Sequence, residues 1–491
     1  MVKRRTVLLG GAATAGALVI GWGVMPPRQR LHPADPLPAT PGQAALNGWL
    51  KVGTDNTVTV MMAKSEMGQG AHTGLAAILA EELDADWAQV RLEMTPIDDI
   101  YNNLATVVDG LPFHPDNDGS MKAVAGWLTA KTMREVGVMM TGGSSSIKDL
   151  WLPMREAGAH ARAMLIRAAA AQWGVQATEC TANAGWVEHS AGQRATFGEL
   201  AALAAQQPMP GKVTLKEPAQ FKLIGKPLTR IEAPSKLDGT AVFGIDANPP
   251  GLLHACLVMC PTRGGKVARF DAAAAQKLPG VKHVLEVAPY HGGTGGVAVI
   301  ADTPWHAKKA AAAVTVEWDH GPAATLSSET VMARLAQALD QAKGFGYHSA
   351  GDVDAAMQGA ATTITADYRA PYLAHAALEP INCTVQFKDG AATVWTSTQV
   401  PGLARMAAAK ALGMDEEKVT VHQLLLGGGF GRRLEVDYVA QAAAIAQAAG
   451  GAPVQTLWSR EQDTQHDFYR PACMARFKAG FDAQGQLVAW H

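Results

Sequence analysis

Apolar and polar side chains first alternate regularly at Trp49-Leu50-Lys51-Val52, and again at Val58-Thr59-Val60-Met61-Met62 after a turn at Asp55-Asn56. A period of two with a short polar turn between the runs predicts a β-hairpin. It delivers Lys64-Ser65-Glu66-Met67-Gly68-Gln69-Gly70-Ala71-His72-Thr73, after which Leu75, Ile78, Leu79 and Leu83 recur at helical spacing. The helix ends near Asp86-Trp87, and a strand follows at Val90-Arg91-Leu92. Strand, glycine loop and helix start form an anion cradle, because unpaired N–H groups converge there with the positive end of the helix dipole.

The same order returns later in the chain. Val385 to Gly390 turns into Ala392-Thr393-Val394-Trp395, which delivers Thr396-Ser397-Thr398-Gln399-Val400-Pro401-Gly402, an Ala-rich helix from Leu403 to Leu412, and a strand at Val419-Thr420-Val421. Gln69 precedes Val90 by 21 residues and Gln399 precedes Val419 by 20. The matching order predicts two related modules, each with a glutamine at the mouth of a helix. The second runs on through Leu424-Leu425-Leu426 into Gly427-Gly428-Gly429-Phe430-Gly431-Arg432-Arg433. Three glycines remove side chains where backbone N–H groups must approach a bound group, and the aromatic can wall off a small pocket. The arginine pair reads either as solvated surface or as a contact to a cofactor or an acidic residue.

Between the modules, residues 100–138 read as irregular, with a polar run Pro115-Asp116-Asn117-Asp118-Gly119. Thr141-Gly142-Gly143-Ser144-Ser145-Ser146-Ile147 then leads into a long helix from about Pro153 to Gln172. Two glycines and three hydroxyls near a helix start offer the donors that phosphate oxygens take. Short strands and helices between 226 and 322 predict a separate α+β domain. Segments 31–43 and 323–349 read as linkers.

Composition narrows the function. The chain has 491 residues, 48% hydrophobic and 18% charged, and its net charge is −2. No basic patch with interleaved aromatics suggests nucleic acid. Cys180, Cys256, Cys260, Cys383 and Cys473 lie apart, without the spacings that hold zinc or iron–sulfur clusters. Any redox metal is therefore expected inside a cofactor or on another chain. Residues 1–30 read as a targeting segment: Lys3-Arg4-Arg5-Thr6 precedes an uncharged run, Val7 to Met25, closed by Pro26-Pro27-Arg28. That is a twin-arginine export address, which predicts a periplasmic protein, with the segment either removed or retained as an inner-membrane anchor.

Together Glu66-Met67-Gly68-Gln69-Gly70, Gly143-Ser144-Ser145-Ser146, Thr398-Gln399 and Gly427 to Gly431 resemble the molybdenum-binding large subunit of the xanthine dehydrogenase/aldehyde oxidase family. The resemblance is closest to its isoquinoline oxidoreductase beta-subunit and membrane-associated aldehyde dehydrogenase branch. It also takes in Ala374-His375-Ala376 to Glu379-Pro380-Ile381-Asn382-Cys383-Thr384 and Trp458-Ser459-Arg460-Glu461. It implies an α+β multidomain fold with molybdopterin-binding domains in permuted order, at 44–225 and 350–491, and an α/β hammerhead domain at 226–322 between them. It implies molybdopterin cytosine dinucleotide carrying molybdenum, with 2Fe–2S clusters on a small iron–sulfur partner subunit and a c-type cytochrome as a further acceptor. The implied reaction is hydroxylation of a small aldehyde or N-heteroaromatic with water as the oxygen source.

By the same resemblance, Gln399 bonds the apical ligand of molybdenum, while Phe430 and Gly431 line the metal and substrate side. Gln69, with the backbone of Gly68 and Gly70, holds the pterin; Gly428 and Gly429 adjoin it. Gly143, Ser144, Ser145 and Ser146 hold the phosphates. Two features depart from the family. Arg432-Arg433-Leu434-Glu435 follows Gly431 where purine-handling members have Lys-Glu, so purine recognition is not expected. The Gly-x-Gly-Glu segment that carries the family's catalytic base is also absent, and the final hairpin, Phe481 to His491, ends early. A truncated copy of a longer protein is the expectation, and a non-catalytic chain that binds cofactor or partner is the alternative to an enzyme. Glu66 and Glu379 are the candidate substitute bases.

Overall fold

A computed structural model describes residues 28–114, 116–341, 344–346 and 348–491. The targeting segment up to Pro27, and Pro115 of the polar run, lie outside the described residues. The described residues divide into two compact units, those up to 250 with 382–443, and those from 251 to 381 with 444–491. The boundary expected near 226 therefore falls near 250, and the stretch 350–491 is shared between the units.

In the first unit, strands β1 (Gln43–Asn47), β2 (Leu50–Gly53), β3 (Val58–Met62) and β4 (Val90–Met94) form one sheet in that order. β2 and β3 are the expected hairpin, and β4 runs parallel to β3, pairing Val58 with Val90 and Met62 with Met94. A parallel return needs a crossover, and helix α1 (Ala71–Leu83) supplies it. It packs on a core that includes Trp49, Leu75, Leu79 and Leu83, all inaccessible to solvent.

Residues 100–138 are more ordered than expected, holding a short helix at Ala105–Asp109 and α2 (Ser120–Val136). α2 escapes the sequence rule because its pattern is inverted. Lys131 and Arg134 are its buried residues, while Met121, Val124 and Leu128 are exposed. α3 (Ser146–Trp173) starts at the third serine, earlier than expected, and lies along α1.

The second module repeats the first. β5 (Asn382–Lys388) and β6 (Ala391–Thr396) form a hairpin, α4 (Pro401–Leu412) crosses over, and β7 (Val419–Gln423) pairs parallel with β6 from Ala392–Val419 to Thr396–Gln423. The correspondence extends to single bonds. Just past β4, the Thr95 N–H reaches the Met62 carbonyl at 3.1 Å; just past β7, the Leu424 N–H reaches Thr396 at 3.0 Å.

The expected linker 31–43 is packed in place, since Leu31 and Leu37 are buried and Arg30 is drawn inward. In the second unit, strands Val281–Val287, Gly296–Ala301, Leu253–Met259 and Val454–Leu457 lie side by side in that order. A separate pair joins Lys266–Asp271 to Thr315–Asp319, and three strands, Thr362–Ala370, Cys473–Phe481 and Leu487–Trp490, form a further sheet. Most of the expected linker 323–349 is a helix, Ser328–Gln341.

Candidate cofactor cleft

The loop after β3 turns back on itself. Gly68 and Gly70 have φ of 104° and 78°, in the left-handed region that favours glycine. This curl brings three N–H groups onto the Glu66 carboxylate: Gly68 and Gly70 donate to Oε1 at 2.9 Å each, and His72 donates to Oε2 at 3.1 Å. Burial pushes the Glu66 carboxyl upward, but the N–H groups of Gly70, His72 and Gly68, with the His72 ring, outweigh it and hold it below the usual glutamate range. The anion cradle expected at the start of α1 is thus filled by the chain's own carboxylate. The Gly68 and Gly70 N–H groups, expected to hold a pterin, are spent on it. Gln69 is exposed; its Nε2 donates to the Ser65 carbonyl and its Oε1 accepts from Met67 N–H. From outside the loop, Arg230 Nη1 donates to the Gly68 carbonyl at 2.7 Å.

The loop before α3 is open. Gly143 and Ser144 both have positive φ, 62° and 52°, and a Cβ on Gly143 would meet Thr106 Cγ2 at 3.1 Å. Of the three serines, Ser145 is turned inward: it donates to the Gly142 carbonyl at 2.7 Å, accepts from Asn103 at 2.8 Å, and is 1% exposed. It is a structural brace rather than the phosphate contact expected. The Ser144 and Ser146 hydroxyls have no partner among the described residues. Beneath them, buried Asp149 accepts from Lys64 Nζ at 2.9 Å, Arg30 Nη1 at 3.2 Å and the Leu104 N–H at 2.9 Å. Burial raises the Asp149 carboxyl, but the Arg30 and Lys64 charges prevail and lower it. The base of the loop is thereby fixed to β3's exit and to the N-terminal segment.

Gln399 is 2% exposed and held on three sides. Its N–H donates to the Arg433 carbonyl at 2.9 Å, its carbonyl accepts from Thr141 N–H at 2.8 Å, and its Nε2 donates to the Thr141 carbonyl at 2.7 Å. A carbonyl can only accept, so Thr141 fixes which end of the amide is nitrogen. Gln399 Oε1 is left buried without a hydrogen-bond partner among the described residues. An orphaned buried acceptor is costly, and a bound group with a donor would satisfy it.

Beside it, a Cβ on Gly429 would come 2.5 Å from Met67 Sδ and 2.9 Å from Gln399 Oε1, so any side chain there would have to displace both. Gly428, Phe430 and Gly431 carry φ of 104°, 54° and 106°. This bend leaves Phe430 71% exposed. The arginine pair is not a surface feature. Arg432 makes a bidentate pair with Asp437 at 2.9 and 3.0 Å, and Arg433 donates to the carbonyls of Gly428 and Ser397 at 3.0 and 3.3 Å.

These loops, far apart in sequence, enclose one cleft of about 600 Å³. Gly68, Gln69, Gly143, Ser144, Ser146, Gln399, Gly429, Phe430 and Gly431 line it; Gly70, Ser145 and Gly428 do not. Gly142, one of the two glycines of the cradle expected before α3, lines it too, as do Thr141, Met67 and Leu434, to which the sequence assigned no role. Thr141 stood next to the glycine pair, but its carbonyl contact with Gln399 has no sequence signal. Among the described residues no lining side chain is charged. Glu66 is fully engaged below the cleft, and Glu379 lies in the other unit. A glycine-floored cleft with neutral donors at one helix start and an orphaned acceptor fits an uncharged ring system with a phosphate tail.

Two family models, both described as molybdopterin cofactor-binding domains, match residues 11–107 and 340–491, with the second-type domain ahead of the first-type. The chain is 32% identical over 460 residues to a protein named membrane-bound aldehyde dehydrogenase [pyrroloquinoline-quinone] of Gluconacetobacter polyoxogenes, covering 91% of this chain and 55% of the relative. It is 30% identical over 506 residues to the beta subunit of isoquinoline 1-oxidoreductase of Brevundimonas diminuta, covering 92% and 59%. A 25% match to a nicotinate dehydrogenase of Pseudomonas putida covers 97% and 37%. The chain thus spans about half the length of the curated relatives it matches. With both cofactor-binding domains in the permuted order, it belongs to the molybdopterin-binding large subunits of the xanthine dehydrogenase/aldehyde oxidase family, in the branch of membrane-bound aldehyde dehydrogenase and the isoquinoline 1-oxidoreductase beta subunit.

Proposed function

We propose that the cleft holds molybdopterin cytosine dinucleotide and that the chain serves as the large subunit of an exported molybdenum hydroxylase. The observation that carries this reading is the convergence of four glycine- or serine-bearing loops on one uncharged cleft that contains an orphaned buried acceptor, Gln399 Oε1. The bound group would supply a two-electron oxidation of a substrate carbon with oxygen drawn from water.

The geometry supports a part for each residue in this reading. Gln399 Oε1 accepts a hydrogen bond from the group and fixes its orientation. Ser144 and Ser146 donate hydroxyls, with the first N–H groups of α3, to its phosphates. Gly429 would admit the group close to the backbone, and Phe430 would line the cleft beside it. Phe430, Leu434 and Met67 suit a flat neutral aldehyde or N-heteroaromatic, and the absence of a lining cation disfavours an anionic substrate such as nicotinate. No lining side chain titrates near neutral pH, so a proton released in the cleft passes to water or to a group outside the lining. In this reading the electrons would leave to a small iron–sulfur subunit and then to a c-type cytochrome, on the periplasmic side that the twin-arginine pattern predicts.

The test is elemental and nucleotide analysis of the protein purified from its source cells. About one molybdenum and one cytidine nucleotide per chain are expected, whereas quinone cofactor or neither would overturn the reading. A second reading, cofactor or partner binding without turnover, is favoured by the lack of a titrating group in the lining. It predicts loaded cofactor but no aldehyde-dependent dye reduction.

A further inference from the structure

β4 and β7, the equivalent strands of the two modules, meet across an open slot. β4 ends the row β1 to β4, and β7 is last in the row β5, β6, β7. Backbone N–H groups along a strand point alternately to its two sides. The Thr95 N–H faces β3, so those of Leu92 and Met94 face away from it. The Leu424 N–H faces β6, so those of Val421 and Gln423 face away. The next outward N–H after Gln423, on Leu425, donates to the Val242 carbonyl at 3.2 Å, and Phe243 bridges Leu425 in parallel. The outward edge of β7 therefore already takes extended backbone at one end, from the chain itself.

Beyond that point the pairing stops. The outward N–H groups of Leu92, Met94, Val421 and Gln423 have no partner among the described residues. Between the two edges is a cavity of about 660 Å³, walled by Glu93–Ile97 on one side and Val419–Leu424 on the other, with Pro401 and Arg405 from α4. Thr95 Oγ1, on its wall, is buried without a partner. A second cavity of about 390 Å³ shares Glu93, Met94, Gln423 and Leu424 with the first and reaches Val242. Two facing rows of unpaired groups at strand spacing suit a peptide backbone, not a compact small molecule.

We infer that this slot docks an extended polypeptide strand that pairs with β4 and β7 at once and continues the line begun by Val242-Phe243. Its source is a further segment of the same polypeptide, within the portion of the longer relatives that these 491 residues do not span. Its inward side chains are apolar, against Met94 and Val421, and one acceptor side chain meets Thr95 Oγ1 or Arg405.

The test compares amide hydrogen exchange in the protein as purified from its source cells with that in these 491 residues produced alone. In the native material the amides of Leu92, Met94, Val421 and Gln423 slow by about tenfold or more, and a photo-crosslinker at His422 joins polypeptide outside the 491 residues. Equal exchange in both preparations, or crosslinks to a separate chain, whether a partner or a second copy of these residues, overturns the inference. Val421→Pro removes one outward donor while Thr420 and His422 keep the bonds to β6. It should release the docked strand, and Val421→Ala should retain it. Retention by Val421→Pro would count against the inference; if that variant does not fold, exchange and crosslinking on the unaltered protein still decide.

Discussion

The two modules follow one plan and finish it differently. Between β3 and α1 lie eight residues, 63–70; between β6 and α4 lie four, 397–400. The longer loop has room to fold Glu66 back over the start of α1 and satisfy three N–H groups with a fixed internal charge. The shorter loop has no such residue to spare. It meets the same need with Pro401, which has no N–H, and with Thr398 Oγ1, which accepts the Val400 N–H at 3.1 Å. Neither the first residues of α1 nor those of α4 line the cleft, whereas Ser146 at the start of α3 does. The lesson is that a glycine loop before a helix becomes a ligand site only where the protein has not already supplied the anion.

The difference predicts opposite responses to substitution. Glu66→Ala strips the acceptor from three N–H groups, that of His72 buried and those of Gly68 and Gly70 part-buried, and should cost about 2 kcal/mol or more of stability, measured by denaturant melts. A loss below about 1 kcal/mol would mean that water replaces the carboxylate without penalty. The same carboxyl gives a pH signature. Because its folded pKa is depressed, its contribution is complete above about pH 4.3, the ordinary glutamate value. It is lost as pH falls through the lower folded value, so the stability gap between the unaltered protein and Glu66→Gln should narrow over that window.

Gln399→Leu should behave in the reverse manner. It forfeits one hydrogen bond to Thr141 but also removes a buried orphan acceptor, so stability should shift by about 1 kcal/mol or less, while cofactor content collapses. Smallest is Gln69→Ala. Both side-chain bonds of Gln69 stay within its own exposed loop, so a change of about 0.5 kcal/mol is expected, with most of the cofactor kept. Equal loss of cofactor from the two glutamine variants would erase the distinction between the modules.

Much of this arrangement is legible in the sequence because its signals are local. The hairpins at Leu50–Met62 and Asn382–Thr396, the crossover helices and the parallel strands starting at Val90 and Val419 each carry their own period. The glycine and serine loops mark most of the cleft by composition alone. What is not legible depends on partners distant in sequence or on inverted patterns. Arg432 and Arg433 read equally as solvated charge or as contacts to a cofactor or an acidic residue, and nothing local selects Asp437, five residues on, or the carbonyls of Gly428 and Ser397. Ser145 is indistinguishable from Ser144 and Ser146 until Asn103 and Gly142 claim its hydroxyl. Helix α2 escapes notice because its apolar side chains face out while Lys131 and Arg134 are buried. Glu66 looks like a candidate base, and only the left-handed turns at Gly68 and Gly70 reveal that its charge is already used.

The most direct measurement is molybdenum per chain in Gln399→Leu against the unaltered protein, both purified natively and matched for thermal midpoint. The Gln399 assignment predicts a fall of about tenfold or more at unchanged stability. Full molybdenum in the variant would contradict it and move the cofactor away from this cleft.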